Sequence, residues 1–208
     1  MSGISNLGGD MNNEENASTK LAIFALLVGI LIALLLPHTG PLDAEMEYTG
    51  ISSGAVEEHN RVLSYVLEQN PDVVLARTIT NEVLRQAAKY RIAPGWIVSI
   101  MAYESWGLDS MAVSSAGARG LMQIMPLHVP ELMVPCNVAN TQDLFDVIKN
   151  ICSGVYILSQ KFDRCDGMPK CALLAYNGCV VRDEDPHRAC YSYPQEIEDR
   201  ILEFLAES

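Results

Sequence analysis

Residues Leu21 to Leu36 read LAIFALLVGILIALLL, sixteen positions without one polar side chain. As a helix the run spans roughly 24 Å. A bilayer core is about 30 Å thick, and Ala17, Ser18 and Thr19 can extend the run toward it. Pro37 and Gly40 stop it. With no polar face for water, it cannot lie as a surface helix. Three readings remain: an uncleaved single-pass anchor, a signal peptide cut after Ala44, or a buried core helix. A signal peptide carries a basic leader, whereas the segment before this run is long and holds Asp10, Glu14 and Glu15. The anchor is therefore favoured. Lys20 precedes the run and no Lys or Arg follows until Arg61. That charge bias keeps the N-terminus in the cytoplasm and exports the rest.

The remainder of the chain divides by pattern. Residues 1–19 are polar and Asn-rich, an expected disordered cytoplasmic tail. Residues 20–37 form the expected transmembrane anchor. Residues 38–70 read as a linker, with a short helix over Arg61–Gln69. Residues 71–208 read as a helical domain. There Ala76, Ile79, Val83, Ala87 and Tyr90 recur on one helix face. Pro94 and Gly95 open a second helix that runs toward Glu104. Thr141 or Gln142 opens a third, with Leu144, Ile148, Ile151, Cys152, Val155 and Leu158 inward. Pro194 opens a last one through about Leu205. No alternating run is long enough for a sheet. The formal net charge of −12 argues against a general nucleic-acid binder, which would show a basic face.

All six cysteines lie between Cys136 and Cys190. An even count beyond a membrane anchor points to disulfides in an oxidising compartment. Zinc is the rival, but no C-x2-C pair is present. Nearest-neighbour pairing would join Cys136 to Cys152, Cys165 to Cys171 and Cys179 to Cys190, each bond contributing roughly 2–4 kcal/mol. No metal or cofactor is expected, because no H-E-x-x-H, G-x-S-x-G, P-loop or G-x-G-x-x-G is found. The acidic run Asp183-Glu184-Asp185 reads as a solvated loop.

The chemistry concentrates between Ile97 and Pro126. An apolar helix, VSIMAY, runs straight into Glu104. Partial burial there disfavours the charged carboxylate and raises its pKa, which suits a general acid. The bland alternative is a surface glutamate ending a helix. Ser114 to Gly120 is a loop of small residues that lets backbone approach a ligand. Gln123 follows as a single amide among apolar residues and needs hydrogen-bond partners. Further on, Ala175-Tyr176-Asn177-Gly178 reads as a helix end with Gly178 just past it.

Glu104-Ser105, then Gly120-Leu121-Met122-Gln123-Ile124-Met125-Pro126, then Ala175-Tyr176-Asn177-Gly178 resemble, in order and spacing, the three motifs of the family 1 lytic transglycosylases. These are the soluble-lytic-transglycosylase-like, goose-lysozyme-related domains. Tyr193-Pro194 resembles the family's closing motif. The resemblance covers about Thr78 to Leu205. It implies a mainly α, lysozyme-like domain with a glycan-binding cleft, here preceded by one transmembrane helix. It implies that peptidoglycan strands are the substrate, cleaved at the β-1,4 bond from N-acetylmuramic acid to N-acetylglucosamine with formation of a 1,6-anhydro product. Glu104 would perform both proton transfers. Ser105 would help hold the reacting sugar, Gln123 would bind its polar groups, Tyr176 would hydrogen-bond Glu104, Asn177 would shape the cleft, and Tyr193 would support it.

Ordinary glycosidases use two carboxylates, and Asp109 is the nearest second one; its alternative role is to hold a turn. The chain departs from the family pattern in its cysteines, its acidity, and Trp106 after Glu-Ser. The expected setting is a periplasmic domain on the inner membrane, or a virion membrane, serving a secretion, conjugation or phage apparatus. A hydrolytic muramidase and a non-catalytic wall-binding scaffold are the alternatives.

Overall fold

The computed structural model describes residues 52–179 and 191–206. The expected tail, the anchor over 20–37, the first part of the expected linker (38–51), the run Asp183–Asp185 and Cys190 lie outside the described residues. Among the described residues there are seven α-helices: α1 (Ser53–Gln69), α2 (Val73–Tyr90), α3 (Pro94–Glu104), α4 (Val129–Cys136), α5 (Val147–Arg164), α6 (Pro169–Tyr176) and α7 (Tyr193–Ala206). Short 3-10 turns cover Trp106–Leu108, Pro126–His128 and Thr141–Phe145. Extended pairing among the described residues is confined to single bridges, Val113 with Arg119 and Arg119 with Ile124. None of the described helices is long and apolar enough to cross a membrane.

Local chemistry sets the helix ends. Asp72 caps α2 by accepting from the N–H groups of Val74 and Leu75, satisfying donors that a helix start leaves open. Arg91 then ends α2 in the left-handed region. Pro94 sits in the first turn of α3, where its missing N–H costs nothing. The helix α3 is apolar around its whole circumference, and Ile97, Val98, Ile100 and Met101 are fully buried. Such a helix belongs at the centre of a fold. It packs on α7, α2 and α1, while α5 packs on α2, α6 and α4. Gly95 brings α3 close to α7, since a Cβ there would stand 3.0 Å from the Phe204 ring.

Two expectations need correction. The short helix expected over Arg61–Gln69 is the second half of α1, which starts at Ser53 with Ser52 accepting from Ala55 N–H. Val62, Tyr65 and Val66 of α1 are buried in the core, so this segment is part of the helical body. The third helix does not open at Thr141 or Gln142. Asn140 caps a 3-10 turn there, and Asp146 caps α5 by accepting from Lys149 N–H. The new register leaves Leu144 buried in the turn and turns Ile148 outward, half exposed.

Candidate active site

Glu104 is the last residue of α3. The buried helix delivers its carboxyl group to a place that is mostly shielded from water. Burial raises its pKa from 4.5 to about 6, against the lowering effect of a hydrogen bond from Tyr193. That bond runs from the Tyr193 hydroxyl to Glu104 Oε1 at 2.8 Å. Among the described residues, no other carboxylate and no cation contributes to the shift. A carboxyl group in this state holds a proton in mildly acidic solution and releases it near neutrality, as a general acid that later serves as a base must.

Three tyrosines surround it. Tyr193, at the start of α7, is buried and stacks edge-on against Tyr103, with ring centroids 5.0 Å apart. Its phenol is pushed well above the usual value, by burial first and then by the Glu104 charge. Tyr176 is pushed up by the same two causes. The expected bond from Tyr176 to Glu104 is not what forms. The Tyr176 hydroxyl donates to the Met122 carbonyl at 2.9 Å. Tyr176 therefore ties the end of α6 to the segment bearing Gln123, and Tyr193 is the tyrosine that holds the acid.

Ser105 also departs from expectation. It is 1% exposed, and its hydroxyl donates to the Met101 carbonyl at 3.0 Å. The side chain closes the end of α3 and sets the direction in which the chain leaves Glu104; in this arrangement it has no free reach toward a sugar.

The segment after the small-residue loop is held from beneath. Asn150 of α5, 1% exposed, accepts from Met122 N–H at 2.8 Å. Its amide donates to the carbonyls of Arg119 and Leu144, at 2.9 and 2.6 Å. A Cβ on Gly120 would stand 2.4 Å from Asn150 Nδ2, and one on Gly154 would stand 2.2 Å from Met122 Sδ. Both glycines are needed for this close approach. Asn150 and Gly154 were missed by motif reading; the available signal was one amide and one glycine, four apart, on the inward face of an amphipathic helix.

Gln123 is held in the left-handed region at φ 48°. A non-glycine residue there is strained, and such strain gathers at functional positions. Its amide nitrogen donates to the carbonyls of Gly120 at 2.9 Å and Ala112 at 3.4 Å. Asn177 caps α6 and is exposed. Gly178 follows at φ 76°, and Cys179 N–H returns to the Leu174 carbonyl at 2.9 Å, a glycine-terminated helix end. Asp109 is exposed, and its carboxylate accepts from Met111 N–H at 2.8 Å, holding a turn.

Disulfides join Cys136 to Cys152 and Cys165 to Cys171. Cys179 is also disulfide-bonded. The first bond ties the end of α4 to α5 at Cys152, two residues from each of Asn150 and Gly154. Among the described residues no cluster of three His, Cys, Asp or Glu could hold a metal ion.

Comparison with known proteins agrees with the motifs. Residues 82–196 match the sequence profile of the family described as Transglycosylase SLT domain. A transglycosylase of Enterobacteria phage PRD1 is 34% identical over 92 residues, which is 44% of this chain and 31% of the phage protein. The X-ray structure of an inactive Glu-to-Gln mutant of the lytic transglycosylase Slt from Pseudomonas aeruginosa aligns at TM-score 0.54 and 25% identity, over 61% of this chain and 24% of that one. The chain thus spans about a third or less of the length of each of these two relatives.

Proposed function

Since the chain belongs to the Transglycosylase SLT domain family, we propose that it is a lytic transglycosylase acting on peptidoglycan, with Glu104 as its sole acid and base. The observation that carries this reading is the state of Glu104: shielded, its pKa raised to about 6, held at one oxygen by Tyr193, and acted on by no second described carboxylate. The Tyr193 bond occupies Oε1 and leaves Oε2 to carry the proton. Protonated Glu104 gives that proton to the glycosidic oxygen as the bond to C1 of N-acetylmuramic acid breaks. The resulting carboxylate takes the proton of the C6 hydroxyl as O6 closes on C1. The product is a 1,6-anhydro sugar, no water is consumed, and Glu104 ends protonated as it began. A hydrolase needs a second carboxylate as nucleophile or to activate water. Asp109 is engaged in its own turn.

Gln123 is the candidate for gripping the sugar's polar groups, because its amide oxygen accepts no hydrogen bond from the described residues while its nitrogen is fixed by two carbonyls. Asn177 is placed to line the same cleft from the end of α6.

The test is mass spectrometry of peptidoglycan digested by the full chain. Anhydro-ended products, one water lighter than hydrolysis products, are expected. Reducing ends would make the protein a muramidase, and no products from folded, oxidised protein would make it a wall-binding scaffold.

The same proposal places residues 20–37 across a membrane and the helical domain outside the cytoplasm, on the inner membrane or a virion membrane. The length and apolarity of that run support it, as do disulfides on the exported side. Such a tether restricts cleavage to nearby glycan, which suits a wall-spanning or phage apparatus. The similarity to a phage transglycosylase supports the phage setting. Alkaline carbonate extraction of expressing cells tests the tether: retention with the membranes is expected, and release would overturn it.

A further inference from the structure

Trp106 stands two residues beyond Glu104 and is 92% exposed. Leaving an indole in water forfeits one of the largest burial gains available to a side chain, so its position calls for a reason. The backbone beneath it is tightly held. Gly107 and Leu108 both occupy the left-handed region, at φ 68° and 49°. The Gly107 carbonyl accepts from the Asn70 side chain at 3.0 Å, and the Leu108 side chain is fully buried. Leu108 N–H returns to the Ser105 carbonyl at 2.9 Å. Strain at a leucine, compensated by burial and two hydrogen bonds, maintains a turn whose effect is to present the indole outward.

The same segment continues past Met111 and Val113, which are 58% and 59% exposed. Between them the Ala112 carbonyl receives the Gln123 amide. The stretch from Trp106 to Val113 therefore joins the acid at one end to Gln123 at the other, and it carries exposed apolar side chains along its length. With about 3.8 Å between successive Cα atoms, the Trp106 Cα lies within roughly 8 Å of the Glu104 Cα, which keeps the indole in the neighbourhood of the carboxyl group. The C–H faces of a pyranose stack on flat aromatic surfaces, and an indole offers the largest such surface among side chains.

We propose that Trp106 is a preformed platform for a sugar ring of the glycan strand, the ring next to the one whose bond Glu104 cleaves, and that it determines how the strand is positioned for cutting. This rests on the glycan reading of the site. Trp106 touches substrate but moves no proton, so its loss should appear mainly in KM. Trp106→Ala is expected to raise KM for peptidoglycan on the order of tenfold, the size of one aromatic stacking contact, with kcat changed far less. Trp106→Phe should recover most of the loss. The exposed side chain makes few contacts within the fold, so melting temperature should not move.

A second measurement separates this inference from the reaction itself. The chain has two tryptophans, Trp96 and Trp106. In full-length protein carrying Glu104→Gln, soluble uncross-linked glycan strands should shift tryptophan emission to the blue, and Trp106→Phe should abolish the shift. If wild-type protein cleaves peptidoglycan while Trp106→Ala leaves KM unchanged and emission does not respond to bound strands, the platform is overturned. If emission responds but wild-type protein cleaves nothing, the platform stands and the proposed reaction fails.

Discussion

Glu82 and Glu104 are two glutamates largely withdrawn from water, on neighbouring helices, and the fold treats them in opposite ways. Glu82, on α2, is 5% exposed. It receives two hydrogen bonds from Arg85, at 2.8 and 2.6 Å, and one from the buried Gln86 amide at 2.6 Å. Its hydrogen bond to Arg85 holds that guanidinium above its usual pKa. Every contact there joins opposite charges or donor to acceptor within one helix. Among the described residues Glu104 meets no cation; it meets apolar helix, phenol rings and one hydroxyl. Burial alone therefore does not set the state of a carboxylate. What distinguishes the two regions is whether burial is compensated by charge.

The largest effect expected from this contrast is at Glu104. Glu104→Gln should lower turnover on peptidoglycan on the order of a thousandfold or more, since the proposed mechanism assigns both proton transfers to this one group. The fold should gain. A carboxyl group whose folded pKa lies above its unfolded value contributes most stability below about 4.5 and loses it as pH rises through about 6. Ionised Glu104 is then a burden on the order of 2 kcal/mol, given its rise from 4.5 to about 6. Melting curves should show Glu104→Gln a few degrees more stable than wild type at pH 8 and equal to it at pH 4. Equal stability at both pH values would show that Glu104 is not desolvated as described.

Glu82→Ala should do the reverse. It leaves the Gln86 amide buried without its acceptor, a cost of roughly 1–3 kcal/mol. Arg85 is half exposed and recovers water. Melting temperature should fall at pH 7, while kcat/KM measured well below the melt should stay within about twofold. A large loss of activity in fully folded protein would mean that the two helices are coupled, and the contrast would not hold.

The sequence was informative where a pattern repeats or a motif is local. The inward stripe Ala76, Ile79, Val83 and Ala87 is buried, because helical periodicity needs only near neighbours to be seen. Glu104 at the end of an apolar helix was visible for the same reason. The first half of α1 was not: Gly54, Glu57 and Glu58 carry no apolar stripe, and the helix is announced only by the Ser52 cap. Asn150 was not visible because its meaning lies in a bond to Met122, 28 residues away. Tyr176 and Tyr193 were both flagged by resemblance, yet their order of contact depends on how α6 and α7 dock. The hydroxyl that reaches Glu104 belongs to the residue 89 positions away. Roles that depend on packing between helices were therefore beyond motif reading, even where the residues themselves were not.

That exchange between the tyrosines supplies the smallest and most specific prediction. The Tyr193 hydroxyl lowers the Glu104 pKa against the larger effect of burial. Tyr193→Phe keeps the ring against Tyr103 and removes only that hydroxyl, so the Glu104 pKa should rise above about 6. Activity that requires protonated Glu104 at the first step falls as pH passes that value. The falling limb of kcat/KM should therefore move to higher pH in Tyr193→Phe, while the maximum drops by roughly three- to tenfold as the carboxyl loses its orientation. Tyr176→Phe removes a bond to the Met122 carbonyl instead. It should cost about 1 kcal/mol of stability and leave the limb in place. If the limb moves in Tyr176→Phe and not in Tyr193→Phe, the tyrosine that governs the acid in solution is the one named by resemblance. If it moves only in Tyr193→Phe, the pKa of Glu104 is set by the docking of α7 against α3, which brings the closing segment of the chain into control of its central acid.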